Sequence, residues 1–285
     1  MAIPAAHRVQ AGPALGEPVL LPGAQAFTLE SPGAPPYRLL VALPEAAAPP
    51  AGFPVLLMVD GDALFPAGLL AARLQAARPE VTGVAPAILV GIGYPGAAPF
   101  DAARRSADLL PEQGGADHFL DRISDVVLPF VETLAPVDHA RLSLAGHSFG
   151  GLFALHALFT RPGLFATLVA GSPSIWWNER AILAARTRFL AAPAPQRRPR
   201  LLLTVGGAEQ DGEAGHDPHR AERLRMARMV DNAAEMAATL AASGHVACEH
   251  RVFPDENHIS VLPAMMARTI AFALAEPAAL SGARP

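Results

Sequence analysis

Short apolar runs bounded by Gly and Pro alternate along this chain with longer stretches whose apolar positions recur at helical spacing. The runs at Phe27 to Glu30, Arg38 to Leu43, Val55 to Asp60, Ala87 to Ile92, Leu142 to Ala145, Leu168 to Gly171, Leu201 to Val205 and Glu249 to Phe253 predict strands. Most are apolar at nearly every position, the mark of strands covered on both faces, as in a parallel sheet. Helical spacing predicts helices at Ala67 to Ala77, Asp117 to Leu134, Gly150 to Thr160, Asn178 to Leu190, Pro218 to Ser243 and Val261 to Ala275. The alternation predicts the α/β class, a mostly parallel central sheet with helices on both faces, with the first two strands as an antiparallel edge. No internal repeat is evident and Ala191 to Pro199 reads as a surface loop, so residues 1–285 are expected to form a single domain.

The segment Gly93 to Ala116 fits neither period and reads as a long loop, an active-site insertion at about 94–116. It follows the fourth strand at the carboxyl edge of the sheet, where open α/β folds place their ligand sites.

Composition narrows the function. A chain of 285 residues suits one large α/β domain. The net charge of −4 with no basic stripe argues against a nucleic-acid partner. All 22 basic residues are arginine, which removes lysine-based Schiff-base chemistry. Cys248 is the only cysteine and its neighbours suggest a buried strand position; neither an intrachain disulfide nor a cysteine-rich zinc site can form. Met1 to Leu21 holds a single arginine and is broken by Pro4, Pro13 and Pro18, unlike a secretory signal, and no apolar run reaches membrane-spanning length. The expectation is a cytoplasmic protein with no membrane partner; a periplasmic one would have lost a leader.

The chemistry centres on Gly146-His147-Ser148-Phe149-Gly150-Gly151, which joins the run Leu142 to Ala145 to a helical stretch. A serine at the apex of a sharp strand-to-helix turn needs small neighbours on both sides, because strand and helix pass closely there. Gly146 and Gly150 meet that need, the Ser148 hydroxyl stands clear of the sheet, and the Phe149 N–H is expected to point at a developing oxyanion. An ordinary glycine-rich turn would have the same spacing.

A serine hydroxyl becomes nucleophilic when a base takes its proton, and in this chain order the base is a histidine after the last strand. His258, after Glu249 to Phe253, fills that place. His147 is expected to pack beside the turn, His156 lies in the following helix and His250 within a strand. The acid orienting His258 should follow the penultimate strand, which makes Glu209 the first candidate and Asp211 the second, with a Ser-His dyad as the third possibility. The second oxyanion donor is expected from Val59-Asp60-Gly61-Asp62-Ala63, as a backbone N–H at Asp62 or its neighbour. The carboxylates of Asp60 and Asp62 should point away from it.

Asp211, Glu213, His216, Asp217 and His219 crowd one loop, but their spacing matches no zinc pattern, so no metal and no organic cofactor is expected. One or two of Arg220, Arg223, Arg225 and Arg228, at the start of the next helix, could reach an anionic ligand.

Gly146 to Phe153, Ser172-Pro173-Ser174-Ile175-Trp176-Trp177, Asp60-Gly61-Asp62, Arg105 with Asp108 and Pro111, and Glu256-Asn257-His258 together resemble the esterase D-like family of α/β hydrolases. Within that family the likeness is to siderophore esterases, which open trilactone ferric-catecholate siderophores. The resemblance runs from about residue 25 to 275. It implies the α/β-hydrolase fold, Ser148 as nucleophile, His258 as base, and Phe149 with the Asp62 region as oxyanion donors. Some siderophore esterases work as Ser-His dyads, which leaves Glu209 open. The resemblance further implies that Arg105, Trp176 and Trp177 line the acyl pocket, with the tryptophans stacking on catechol rings or packing their loop on the core.

The expectation is therefore a serine esterase acting on a small-molecule ester, a ferric siderophore lactone in the sharpest form. A general short-acyl or aryl esterase, or an acyltransferase, would use the same residues. A non-catalytic siderophore-binding protein is the rival of another class, with no need to keep both Ser148 and His258.

Overall fold

A computed structural model describes residues 20–31, 34–96, 98–211 and 218–275. Its strands are β1 (Ala24–Ser31), β2 (Ala34–Ala42), β3 (Phe53–Val59), β4 (Ile88–Gly93), β5 (Val137–His147), β6 (Thr167–Gly171), β7 (Arg200–Gly206) and β8 (Ala247–Phe253). They form one sheet in the order β1-β2-β4-β3-β5-β6-β7-β8. The β1/β2 and β2/β4 pairs are antiparallel and the rest parallel, with Leu57 of β3 opposite Val90 on one side and Leu144 on the other. Each strand read from the sequence is present, and the first two do form the antiparallel edge.

The helices are α1 (Gly61–Ala76), α2 (Ala102–Leu109), α3 (Gly115–Arg122), α4 (Leu128–Glu132), α5 (Phe149–Thr160), α6 (Ile182–Ala191), α7 (Pro218–Ala227), α8 (Met229–Ser243) and α9 (Val261–Leu274). They cover both faces. Along β3, Val55, Leu57 and Val59 face a core closed by α3 to α6 and α8, while Leu56 and Met58 face a second core closed by α1 and α9. Burying each such side chain contributes about 1.5–3 kcal/mol, which is why these strands read as unbroken apolar runs. Helix α5 passes between sheet and outer helices and is buried from Gly150 to Phe159, an all-round apolar pattern that marks an internal helix.

Five expectations change. The segment Gly93 to Ala116 contains a helix: the Asp101 carboxylate accepts the Arg104 N–H at 2.9 Å as an N-cap for α2. The helix read as Asp117 to Leu134 widens into a π turn at Ile123–Val127 before α4; Pro129 has no N–H to donate and its ring crowds the carbonyl four residues back. The helix read as Asn178 to Leu190 begins instead at Ile182, because Asn178, Glu179 and Arg180 all lie at positive φ (45°, 51° and 62°) and form a left-handed turn. The stretch Pro218 to Ser243 breaks at Arg228, whose φ is 47°. A left-handed non-glycine residue costs about 1–2 kcal/mol, and the kink is held by Arg228 bonding both Asp231 and Glu235 and by Asn232 Nδ2 donating to the Ala227 carbonyl. Cys248 is half-buried on β8 rather than buried, and its surroundings push its thiol up to about 11.

Candidate active site

The carboxyl ends of β3, β5, β6, β7 and β8 converge on one edge of the sheet. Ser148 sits between β5 and α5 with φ 60° and ψ −116°, a conformation that persists only when its surroundings enforce it. Those surroundings are visible: the Ser148 N–H donates to the Gly171 carbonyl of β6 at 2.9 Å, and its carbonyl accepts from Leu152 and Ser174. A Cβ on Gly146 would stand 2.3 Å from the Gly150 carbonyl oxygen, and one on Gly150 would stand 2.7 Å from Val59 Cγ2. Only glycine fits either place. The Ser148 Oγ lies 3.3 Å from Ser174 Oγ, its hydrogen-bond partner among the described residues.

His258 occupies the loop between β8 and α9, and its Nδ1 lies 2.6 Å from Glu209 Oε2. Glu209 is on a single helical turn, Ala208–Asp211, directly after β7, and is 1% exposed. Its Oε1 accepts from the Gly206 N–H at 2.7 Å and from Ser172 Oγ at 2.5 Å. Two donors on one oxygen fix the carboxylate plane so that the other oxygen meets the imidazole. Asp211, at the far end of the turn, is exposed.

His147 packs its ring against that of His258 with centroids 4.5 Å apart. It is buried, its Nε2 has no hydrogen-bond partner, and burial followed by the nearby charges of His258 and Arg105 holds its pKa well below the ordinary value. His147 is thus a neutral platform under His258. His156 lies on α5 and pairs with Asp117 at 2.9 Å; His250 lies on β8.

Ser148, Ser174, Glu209 and His258 border a cavity of about 670 Å³. Trp176, 40% exposed, forms part of its rim. The opposite wall is α7, which presents Arg220, Arg223 and Leu224 and is continued in apolar form by Met226, Ala227 and Met229.

Arg105 and Trp177 stand outside this lining. The Arg105 guanidinium makes a two-point ion pair with the buried Asp60 carboxylate, Nε to Oδ1 at 3.0 Å and Nη2 to Oδ2 at 2.9 Å, and lies over the Phe149 ring. Burial raises the Asp60 pKa against the pull of Arg105. Trp177 donates its indole N–H to Glu112 and sets an edge against Phe149, so it packs the loop instead of facing the cavity. Asp62 is drawn to Arg38 and to its own backbone N–H, while burial raises its pKa. Its carboxylate pairs with Arg38 of β2. The amides of Gly61 and Asp62 lie in the first turn of α1, where amides lack helical acceptors. Phe149 is the first residue of α5, where its N–H is likewise without a helical acceptor.

Two contacts escaped the reading of the residues one by one: Ser172 on Glu209 and Ser174 on Ser148. Their signal is Ser-Pro-Ser directly after an apolar run, at the carboxyl edge of a parallel strand.

Among the described residues no group of three or more His, Cys, Asp or Glu side chains is placed to hold a metal ion. Glu213, His216 and Asp217 lie outside the described residues. No described helix is long and apolar enough to cross a membrane.

Comparison with known proteins gives three concordant results. The family described as Putative esterase matches residues 34–254. The ferri-bacillibactin esterase of Bacillus subtilis is 36% identical over 257 residues, covering 84% of each chain. The siderophore triacetylfusarinine C esterase of Aspergillus fumigatus is 38% identical over 273 residues, covering 88% of this chain and 93% of the relative. Among solved structures, the siderophore hydrolase EstB of Aspergillus nidulans superposes with a TM-score of 0.82 at 31% identity, over 93% of this chain and 99% of that one.

Proposed function

The chain belongs to the Putative esterase family and is a serine hydrolase of carboxylic esters with the α/β-hydrolase fold, and on that premise we propose that it opens siderophore lactone esters with Ser148, His258 and Glu209. The observation that carries this reading is the pairing of His258 Nδ1 with a buried, doubly anchored Glu209 beside the same cavity that Ser148 borders. Glu209 holds the imidazole in the tautomer whose Nε2 is free to act as a base.

In the first half-reaction Ser148 Oγ attacks the ester carbonyl carbon as His258 Nε2 takes its proton. The N–H of Phe149 and a second N–H from Gly61-Asp62 hold the oxyanion. Collapse expels the alkoxide, which recovers the proton from His258, and leaves an acyl-Ser148. Water then attacks the acyl carbon with His258 again as base, releasing the acid and the serine. Contacts between nucleophile and base are commonly loose without substrate and tighten in the Michaelis complex.

The cavity supports the substrate class. Trp176 offers an aromatic face to the ring of an aryl acyl group, Leu224 and Met229 an apolar wall, and Arg220 with Arg223 a positive side for an anionic chelate or the carboxylate product. Relatives named for bacillibactin, triacetylfusarinine C and enterobactin support a macrocyclic siderophore. The proposed chain is a single domain, supported by the single sheet of the described residues.

The test is mass-spectrometric product analysis with ferric and iron-free trilactone siderophores beside p-nitrophenyl acetate and butyrate. Stepwise lactone opening that disappears in Ser148→Ala is the expected result. Turnover of the aryl esters alone would move the substrate to a general esterase, and full activity in Ser148→Ala would overturn the nucleophile.

A further inference from the structure

Ser172 is fully buried and touches neither the cavity nor solvent. Its backbone is held at φ 39°, its N–H donates to the Thr204 carbonyl of β7 at 2.8 Å, and its Oγ donates to Glu209 Oε1. A buried serine in a left-handed conformation is an uneconomical choice. Glycine would take that backbone without strain, so the side chain, and not the backbone, explains the residue.

Among the described residues the ionic partner of Glu209 is His258, whose imidazole carries a charge only when protonated. A sealed carboxylate with no permanent cation is tolerable only when hydrogen-bond donors saturate it. On Oε1 those donors are the Gly206 N–H and the Ser172 hydroxyl, one from β7 itself and one from the end of β6.

We propose that Ser172 is a positioning residue of the esterase: its hydroxyl locks the Glu209 carboxylate plane and draws charge onto Oε1, thereby setting the orientation and basicity of His258. This rests on the roles given above to Ser148, His258 and Glu209. Without the hydroxyl, Oε1 keeps one donor and the carboxylate can rotate. Its charge shifts toward Oε2, where it stabilises protonated His258 more strongly. The acidic limb of the kcat/KM profile then moves to higher pH, because a base with a raised pKa stays protonated over a wider range. The lock is lost for every substrate alike, so kcat falls while KM, set in a cavity Ser172 does not touch, holds.

The experiment compares wild type, Ser172→Ala, Ser172→Gly and Ser148→Ala on p-nitrophenyl butyrate across pH, with urea denaturation of each. Ser172→Gly deletes the hydroxyl while easing the backbone, so it folds even if Ser172→Ala does not. The expected result for Ser172→Gly is a kcat about ten- to a hundredfold lower, the range for one hydrogen bond to a charged group, with little change in KM and an acidic limb displaced upward. Ser172→Gly with wild-type kcat and pH profile, alongside an inactive Ser148→Ala, would overturn the role of Ser172 and leave the nucleophile standing. Activity surviving in Ser148→Ala would overturn both.

Discussion

His147 offers a quantitative test of how the site is built. It is 2% exposed, its Nε2 has no partner, and nothing anionic compensates a charge placed there; burial, with the charges of His258 and Arg105, depresses its pKa. In the unfolded chain it would titrate near the ordinary histidine value of about 6.5. Below that pH the unfolded state binds a proton that the folded state refuses, so the contribution of His147 is fully present above about pH 6.5 and is lost as pH falls. The slope is about 1.4 kcal/mol per pH unit, and the loss reaches about 1.4 kcal/mol one unit below the unfolded value. Against a typical total of about 5–15 kcal/mol, that is a large share. The perturbation is His147→Asn, whose amide can stand in for Nδ1, the ring nitrogen that is not orphaned. Urea denaturation of both proteins between about pH 7.5 and 5.5 reads the effect. The expected result is a shallower acid-side decline in the variant, the difference approaching one proton. Identical slopes would refute the reasoning, since every other titrating group is common to the two chains.

Glu209→Gln keeps shape but cannot hold His258 in the same tautomer, so kcat should fall by roughly 10³–10⁴ with KM little changed. A fall below about tenfold, measured by stopped assay with p-nitrophenyl butyrate, would point to a Ser-His dyad. Replacing Arg220 and Arg223 together by Ala should raise KM for an anionic ferric siderophore several-fold, about 0.5 kcal/mol per charge lost at an exposed site, while leaving p-nitrophenyl acetate unaffected. Equal effects on both substrates would mean that the arginines hold α7 in place and do not bind the ligand.

The sheet was legible because buried parallel strands must be apolar at consecutive positions, and Gly or Pro ends each run. Its limits were less so: β5 extends to Val137, but Val137 to Arg141 are polar or half-exposed and pair with β3 only at Phe53. Helix α2 was hidden because its sequence, Ala-Ala-Arg-Arg-Ser-Ala-Asp-Leu, is half polar with Leu109 as its one large apolar residue, and owes its start to the Asp101 cap. Of the residues at the two breaks only Asn178 has a local preference for positive φ; Glu179, Arg180 and Arg228 have none, and their conformation follows from where α6 and α8 must dock, a tertiary demand. For the site, glycine spacing and chain order pointed to Ser148 and His258 and made Glu209 the first of three possibilities, and these three side chains border one cavity, whereas the partners of Arg105 and Trp177 depend on which loops meet. Asp60 and Arg105 are separated by 45 positions and Glu112 and Trp177 by 65, distances over which residue types carry no pairing information.

The conformation of Ser148 belongs to the sheet and not to the five residues around it. The Gly171 carbonyl that takes its N–H is on β6, the Val59 methyl that requires a glycine at 150 is on β3, and Ser174 beside its oxygen follows β6. Cut out as a peptide, the same residues would relax into an ordinary turn. The nucleophilicity proposed for Ser148 therefore depends on β3, β5 and β6 having aligned. The appearance of activity then doubles as a report that the centre of the fold is complete.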